Sequence, residues 1–280
     1  MRGKLTITIA IIAAAFFSCT EKEPIPNYIH LSDFALTTTV ETEGSASNNI
    51  KDVWVFINGN RQGVYELPST FPIIVEGNAK IDVYPGIFVN GISNTRIEYP
   101  FYTGNSFSID ENPNNTDTIS PVISYVSSTQ FKLIEDFEIG NAFNNIVRIQ
   151  GADVYQGLFS GKLNIDSTSS GVFVASSTVN YSITPLTAAA FIELDYKNNH
   201  PFEIFIVPII PGLQAGPEFI AGINADTSSG AGWNKIYLNL TPTANRFQAD
   251  EYQIEIVIKP GDKSPQTIEV LIDNFKLLHF

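Results

Sequence analysis

The sequence predicts an all-β fold. The apolar stretches of the 280-residue chain are short, are rich in Val, Ile, Thr, Tyr and Phe, and end at Gly, Asn, Pro or Ser, which is typical of strands and turns. A hydrophobic content of 44%, with 12% aromatic residues, is enough for substantial cores. The chain length suits one large or two medium domains, and a break in the strand pattern, described below, favours two.

The chain opens with the pattern of an export signal. Arg2 and Lys4 precede the apolar or small run Leu5–Phe17, which is shorter than the roughly 20 residues that a membrane-spanning helix needs. Cys19, the single cysteine, follows this run, and residues 16–19 resemble a bacterial lipobox. The resemblance implies a lipoprotein signal peptide at residues 1–18, a lipidated Cys19 and a tether at residues 19–29. A conventional cleaved signal with an unrelated cysteine is the alternative.

The charged stretch after the cysteine bears on location. Residues 20–24 (Thr-Glu-Lys-Glu-Pro) resemble the export tag of surface lipoproteins of Bacteroidota. The resemblance implies a lipid anchor in the outer membrane with display at the cell surface. The same residues would also serve as a solvated tether on the periplasmic face, so both locations stay open.

The first predicted domain covers residues 30–128. Val53–Ile57 and Val64–Leu67 flank Asn58-Gly59, which supplies the positive φ angles of a tight hairpin turn. The strand candidates that follow, before a polar loop at residues 110–118, are Phe71–Val75, Lys80–Tyr84 (ended by Pro85-Gly86), Glu98–Tyr102 and Gly104–Ile109. About seven strands in roughly a hundred residues fit an Ig-like β-sandwich.

The second predicted domain covers residues 130–280, after the uncharged polar stretch Ser127–Thr129. Its strand candidates are Gly161–Ile165, Val172–Ala175, Ala190–Tyr196, Phe202–Val207, Lys235–Leu240, Tyr252–Ile258, Thr267–Leu271 and Asn274–Leu278. These are again short runs bounded by turn residues, so a second β-sandwich is expected.

Four blocks of this second domain match a known pattern: Glu135–Gly140, Gly157–Leu163, Trp233–Leu240 and Ile272–Leu278. In this order they resemble the galactose-binding-like, jelly-roll type of carbohydrate-binding module. The resemblance implies a C-terminal jelly roll and a glycan partner. It also covers enzyme accessory domains and structural spacers, so the fold alone assigns no substrate.

The same resemblance implies a structural calcium ion between the first and last strands of the module. Glu138 and Asp273 stand at the matching positions, and carboxylate oxygens are ligands that calcium prefers. The alternative is that both side chains cap strand ends. No other cofactor is required.

Aromatic and amide side chains are the candidates for ligand contact, because sugar sites combine apolar faces with a few polar groups. Trp233 ranks first, since the Ser- and Gly-rich residues 228–232 could present it, although it could also be a core residue. The secondary candidates are Tyr155, Phe159, Tyr196 and Asn198.

Catalysis and nucleic-acid binding are not expected. The three histidines, His30, His200 and His279, are dispersed, and His200 has the surroundings of a turn, so neither a triad nor a zinc site is indicated. Glu193 and Asp195 should share one strand face, predicted to be solvated. The net charge is −13, with basic residues scattered along the chain, which disfavours phosphate backbones.

The sequence thus favours a membrane-anchored lipoprotein whose C-terminal jelly roll binds extracellular glycan without turnover. The first alternative is a structural or adhesive surface protein that binds a protein partner. The second is a glycoside hydrolase.

Overall fold

The chain is all-β, as the sequence predicts. The computed structural model describes residues 23–165, 171–183, 188–213, 215–226, 228, 232–261 and 267–280, in which twenty strands and two short helices are defined. The predicted boundary at Ser127–Thr129 lies in a turn between Tyr125 and the next strand. We refer to residues 23–128 as the N-terminal half and to residues 130–280 as the C-terminal half.

The N-terminal half contains ten strands and one helical turn. They are β1 (Asn27–Leu31), β2 (Ala35–Leu36), α1 (Val40–Glu43), β3 (Asp52–Ile57), β4 (Asn60–Glu66), β5 (Ser69–Ile73), β6 (Asn78–Phe88), β7 (Arg96–Glu98), β8 (Asn105–Asp110), β9 (Thr116–Ile119) and β10 (Val122–Ile123). One sheet has the order β5-β1-β9 and a larger one the order β4-β3-β6-β7, with β8 also paired to β6. A small pair, β10-β2, completes this half.

The predicted hairpin is confirmed. β3 and β4 pair antiparallel, and the turn residues Asn58 and Gly59 have φ angles of 49° and 79°. β1 lies partly within the predicted tether at residues 19–29, because Asn27 is already fully buried and paired with β5. The folded part therefore begins before residue 30.

The strand predicted to stop at Pro85 instead continues to Phe88. Proline is tolerated in a strand where its missing N–H is not needed by a neighbour. The far edge of β6 is shared here: β8 pairs with residues 78–83 and β7 with residues 86–88. Pro85 thus falls in the gap between the two partners.

The C-terminal half contains ten further strands and one helix. They are β11 (Gln130–Glu135), β12 (Ile146–Ile149), β13 (Ser160–Asn164), β14 (Phe173–Ser176), β15 (Ala190–Asn198), β16 (Phe202–Ile209), β17 (Glu218–Ile223), β18 (Asn234–Asn239), α2 (Thr241–Phe247), β19 (Glu251–Ile258) and β20 (Glu269–His279). The sequence did not predict either helix.

Two sheets face each other across the core of the C-terminal half. The one we call the interface sheet has the order β12-β13-β20-β15-β18, with β11 also paired to β20, and the second sheet has the order β14-β19-β16-β17. Alternate residues of β15, such as Ile192 and Leu194, join Ile204 and Ile256 of the second sheet in one apolar cluster. This alternation leaves the intervening residues of β15 on the opposite face.

That opposite face packs against the N-terminal half. Phe191, Tyr237 and Leu278 of the interface sheet belong to the same buried cluster as the N-terminal core. The ring of Tyr99 lies 5.4 Å from that of Phe191 and 4.8 Å from that of Tyr237, both edge to face. The apolar core of the N-terminal half therefore extends onto this face of the interface sheet, while a second core lies between the two sheets of the C-terminal half.

A buried charge pair lies in the middle of this interface. Glu193 is fully buried, accepts hydrogen bonds from the hydroxyls of Tyr99 and Tyr125, both at 2.9 Å, and lies 3.1 Å from Lys235 Nζ. The Lys235 contact is an ion pair whose angles do not meet those of a hydrogen bond. Burial alone would lower the pKa of Lys235, but the charges of Asp195 and Glu193 outweigh it and raise that pKa.

The predicted solvation of Glu193 and Asp195 is wrong. The two carboxylates do share one face, but they are 0% and 1% exposed because the N-terminal half covers that face. Their charge is compensated by Lys235 and by hydroxyl donors instead of by water.

Removing one partner of the buried pair should cost far more than removing a surface partner. We expect Lys235→Met to lower the free energy of unfolding by about 3–5 kcal/mol, because Glu193 would keep a buried, uncompensated charge. The control, Lys259→Met, breaks the exposed pair with Glu203 and should cost less than about 1 kcal/mol. Urea unfolding measures both, and equal losses would contradict a dominant role for the buried pair.

Candidate ligand-binding site

Two aromatic rings from distant parts of the sequence meet at one end of the interface sheet. The ring centroids of Tyr155 and Trp233 are 5.1 Å apart and their planes are inclined by 40°. Tyr155 is 40% exposed and Trp233 is half-buried. The pair thus offers an accessible aromatic surface.

The strand register places the starts of β13 and β18 in one row of the interface sheet. Gly161 of β13, Ile272 of β20, Tyr196 of β15 and Asn234 of β18 form one row across four adjacent strands. Tyr155 lies in the loop that leads into β13, and Trp233 directly precedes β18. Because β13 and β18 run in opposite directions, the residues before them leave this row in opposite directions. The loop before β13 therefore reaches Trp233 by folding back over the sheet, where the Gln156 N–H donates to Asp273 Oδ2 at 3.4 Å.

The N-terminal half contributes to this site through residues Ser45–Asn49, which we call the bridging segment. Ser47 Oγ donates to Asp195 Oδ1 at 2.8 Å and lies 3.2 Å from the hydroxyl of Tyr155. Ser45 Oγ donates to Gln156 Oε1 at 2.6 Å. The segment thus contacts both the loop that carries Tyr155 and the sheet beneath it.

Polar groups of β15 and β20 support the pair from below. Asn274 Nδ2 donates to Asp195 Oδ2 at 3.0 Å. Asp273 accepts from Ser160 Oγ at 2.7 Å and from the backbone N–H of Asn274 at 2.7 Å. The φ angle of Asn274 is 46°, and β15 has a register irregularity between Glu193 and Asp195 opposite it. This bulge places two successive polar side chains of β20 in the site.

Burial changes the acidity of both carboxyl groups. Burial raises the pKa of Asp273 to about 7, against the opposing effect of its hydrogen bonds. Burial also raises the pKa of Asp195, and the nearby charge of Lys235 opposes that rise. Both groups therefore hold a proton more readily than a solvated aspartate does.

The structure brings together two of the five predicted ligand-binding residues, Tyr155 and Trp233. Phe159 packs under the guanidinium of Arg148, with the Arg148 Cζ 3.8 Å from the ring centroid. Tyr196 packs on the core of the C-terminal half, edge to face with Phe202.

Asn198 is a buried structural residue. It is 3% exposed, and its amide donates to the carbonyls of His200 and Asn224. Its side-chain N–H groups therefore hold a turn together. A ligand contact by Phe159, Tyr196 or Asn198 stays a prediction.

The two predicted calcium ligands hold the loop before β13. Glu138 Oε1 accepts from the backbone N–H groups of Leu158 and Phe159, at 2.7 and 3.0 Å. Asp273 accepts from the N–H of Gln156 at 3.4 Å. Among the described residues, no group of three or more His, Cys, Asp and Glu side chains is arranged to hold a metal ion. Structural calcium stays a prediction.

Sequence reasoning missed the bridging segment. Residues 45–49 read Ser-Ala-Ser-Asn-Asn, a polar composition shared by many exposed turns. Nothing local distinguishes Ser47 from other serines, because its partners Tyr155 and Asp195 lie in the other half of the chain. Asp195 and Gln156 were likewise unassigned to this site.

The remaining reactive side chains lie elsewhere. His200 is 7% exposed in the bend between β15 and β16, with Nδ1 2.8 Å from the carbonyl of Pro201. His30 pairs with Thr70 in β1 and β5. Cys19, the predicted lipidation site, lies outside the described residues. Within the described residues, no helix is long and apolar enough to cross a bilayer.

Comparison with known proteins gives structural neighbours only. No protein-family model and no curated protein matches the chain. The CBM22-1 xylan-binding domain from Paenibacillus barcinonensis has a TM-score of 0.39 and 13% identity, covering 55% of this chain and 97% of that one. A carbohydrate-binding module of the β-sandwich superfamily has a TM-score of 0.38 and 14% identity, covering 81% and 85%.

A third neighbour is a family 29 carbohydrate-binding module in complex with mannohexaose. Its TM-score is 0.35 and its identity 15%, covering 54% of this chain and 91% of that one. At TM-scores this low the likeness carries no argument, so the function proposed below rests on the geometry of the chain itself.

The raised pKa of Asp273 predicts a pH-dependent stability. The folded state holds this proton up to about pH 7, whereas the ordinary value is 3.8. The stabilising contribution is therefore complete below about pH 4 and is lost as the pH rises through 7. We expect Asp273→Asn, which keeps the carboxyl shape without ionising, to remove this decline.

The measurement is urea unfolding between pH 4 and 8. The exposed Asp33 provides a matched control, Asp33→Asn, which should follow the wild-type profile. A decline of the same size in Asp273→Asn would show that another group causes it.

Proposed function

We propose that the protein binds carbohydrate, without turnover, at the Tyr155–Trp233 pair. The single observation that carries the proposal is the meeting of two accessible aromatic rings above a set of hydrogen-bonded polar groups. Flat aromatic faces cover the apolar face of a pyranose, and a few polar groups fix its orientation. Gln156, which is exposed beside the pair, can meet sugar hydroxyls.

The placement of the carboxylates supports binding over hydrolysis. Glycoside hydrolysis uses two carboxyl groups about 5–10 Å apart across a cleft that admits the sugar. Glu193, Asp195 and Asp273 are each at most 1% exposed and are engaged by protein donors. A glycosidic bond has no route to these carboxyl groups in this arrangement.

The proposed location is the outer membrane, through a lipid on Cys19. The support is the order of a basic start, a short apolar run and a cysteine in residues 2–19. Each buried methylene of an acyl chain contributes about 0.8 kcal/mol, so two or three chains hold a protein stably at a bilayer. The tether would place the binding site toward either the cell surface or the periplasm.

A protein partner is the second candidate function, and one observation favours it. Ile139 and Leu158 are 95% and 67% exposed. Glu138 ties their two turns together by accepting from the Leu158 N–H. Neighbouring exposed apolar side chains are a feature of protein-binding surfaces. Leu158 lies on the same loop as Tyr155, whereas Ile139 lies on the loop between β11 and β12. Substitutions of Ile139 and Leu158 that spare Tyr155 can therefore separate the two candidates.

Loss of either ring should weaken glycan binding. On a glycan array followed by calorimetry, we expect Trp233→Ala and Tyr155→Ala each to reduce affinity at least about tenfold, equivalent to about 1.4 kcal/mol. Phe219→Ala removes a 56% exposed ring from the other sheet and should leave affinity unchanged.

The double variant Ile139→Ser/Leu158→Ser separates the two candidate functions. Glycan binding should survive this change, because it spares the ring pair. If the wild-type protein binds none of the glycans, the proposal is rejected and a protein partner is favoured instead.

A further inference from the structure

The face of the interface sheet that points away from its own core is almost entirely covered. The outward side chains near its middle are at most 7% exposed: Phe191, Glu193, Asp195, Lys235, Tyr237, Lys276 and Leu278. A polysaccharide lying along a sheet needs a row of accessible side chains. The middle of this face offers none.

The bridging segment closes the side of the face next to the ring pair. Its Ser45 carbonyl accepts from Lys276 Nζ on β20 at 2.6 Å, and Ser47 reaches Asp195 on β15. Asn49 Nδ2 donates to the Lys235 carbonyl on β18 at 2.8 Å, and its backbone N–H donates to the Tyr237 hydroxyl at 2.9 Å. The segment thus crosses three adjacent strands and forms a wall.

The loop that carries Tyr155 covers the part of the face formed by β13 and β20. Beneath it, Ser160, Leu271 and Asp273 are at most 2% exposed. Lys197 forms an ion pair with Asp153 of this loop at 2.9 Å. The Tyr155–Trp233 pair therefore stands where loop and bridging segment meet, with covered sheet on both sides.

We propose that the site is composite and short. The N-terminal half supplies one wall, and the occupant is a small saccharide or the last one or two sugar rings of a chain, not an internal stretch of polymer. This inference rests on the proposed carbohydrate binding, and it names the class of ligand that fits. Two tilted rings give contact to one or two sugars, and the covered face gives none to further sugars.

Ser47 is the positioning residue of this wall. The Ser47 hydroxyl donates its proton to Asp195, so the same oxygen accepts from the Tyr155 hydroxyl. Asp195 is fixed in turn by Asn274. A residue of the N-terminal half therefore sets the orientation of a ring in the ligand site of the C-terminal half.

Ligand length tests the proposal with the unaltered protein. The probes are β-1,4-linked gluco-, manno- and xylo-oligosaccharides of one to six units, measured by calorimetry. We expect affinity to rise from mono- to disaccharide and then to change by less than about twofold up to the hexasaccharide. At equal mass, the parent polymer should bind more weakly, because it has fewer ends.

A second test addresses Ser47. Ser47→Ala should weaken binding about threefold to tenfold at every ligand length, the range expected for one lost hydrogen bond, and Ser47→Thr should restore it. Ser106→Ala, which removes a surface hydroxyl bonded to Asp82 in the same half, should have no effect. In a double-mutant cycle, Ser47→Ala and Tyr155→Phe should be strongly non-additive.

The outcomes separate this inference from the function on which it rests. Binding that depends on Trp233 but strengthens with every added sugar would keep the proposed function and overturn the short, walled site. Additive effects of Ser47→Ala and Tyr155→Phe would overturn the positioning role. Failure of every saccharide to bind would reject the proposed function, and the inference with it.

Discussion

The buried ion pair between Lys235 and Glu193 is the constraint on which the rest of the structure depends. Both side chains lie at the contact between the two halves, where water cannot compensate their charge. Tyr99 and Tyr125 of the N-terminal half complete the hydrogen bonds of the carboxylate. If the halves separated, these donors would be lost and the apolar rings around Phe191 would be exposed. The interface therefore holds the bridging segment in place over the sheet.

The local part of the fold could be predicted from the sequence, because its causes are local. Asn58-Gly59 sets the β3–β4 hairpin through its own backbone angles. Pro85 led to a wrong strand end, because a proline is tolerated at this position only where no neighbouring strand needs its N–H. That condition depends on β7 and β8, which pair with β6 on either side of Pro85. The environment of Glu193 could not be predicted at all, since it is created by a tyrosine 94 positions earlier in the chain.

The candidate site, too, could be predicted from the sequence only in part. Trp233 and Tyr155 could be proposed because aromatic side chains are a usual part of a sugar site. Their pairing depends on the loop before β13 folding back over the interface sheet, where the Gln156 N–H donates to Asp273. Ser47 carries no local signal, and its role comes from two partners in the other half. Tyr196 directly follows Asp195 in β15, so the pleat of the strand turns its side chain to the opposite face, toward the core of the C-terminal half.

Buried charge is a poor source of net stability, since an apolar interface of the same shape is often as stable or more so. Its stronger consequence here is orientation, because buried polar groups of the sheet are held by specific partners in the N-terminal half, such as Tyr99 and Tyr125 on Glu193. Burial lowers the pKa of Lys276 to about 8, and its Nζ holds the Ser45 carbonyl. Asp195 holds Ser47, and Tyr237 holds Asn49. Three strands thus fix three alternate residues of one segment, so a shift of that segment along the face would leave several buried groups unpaired at once.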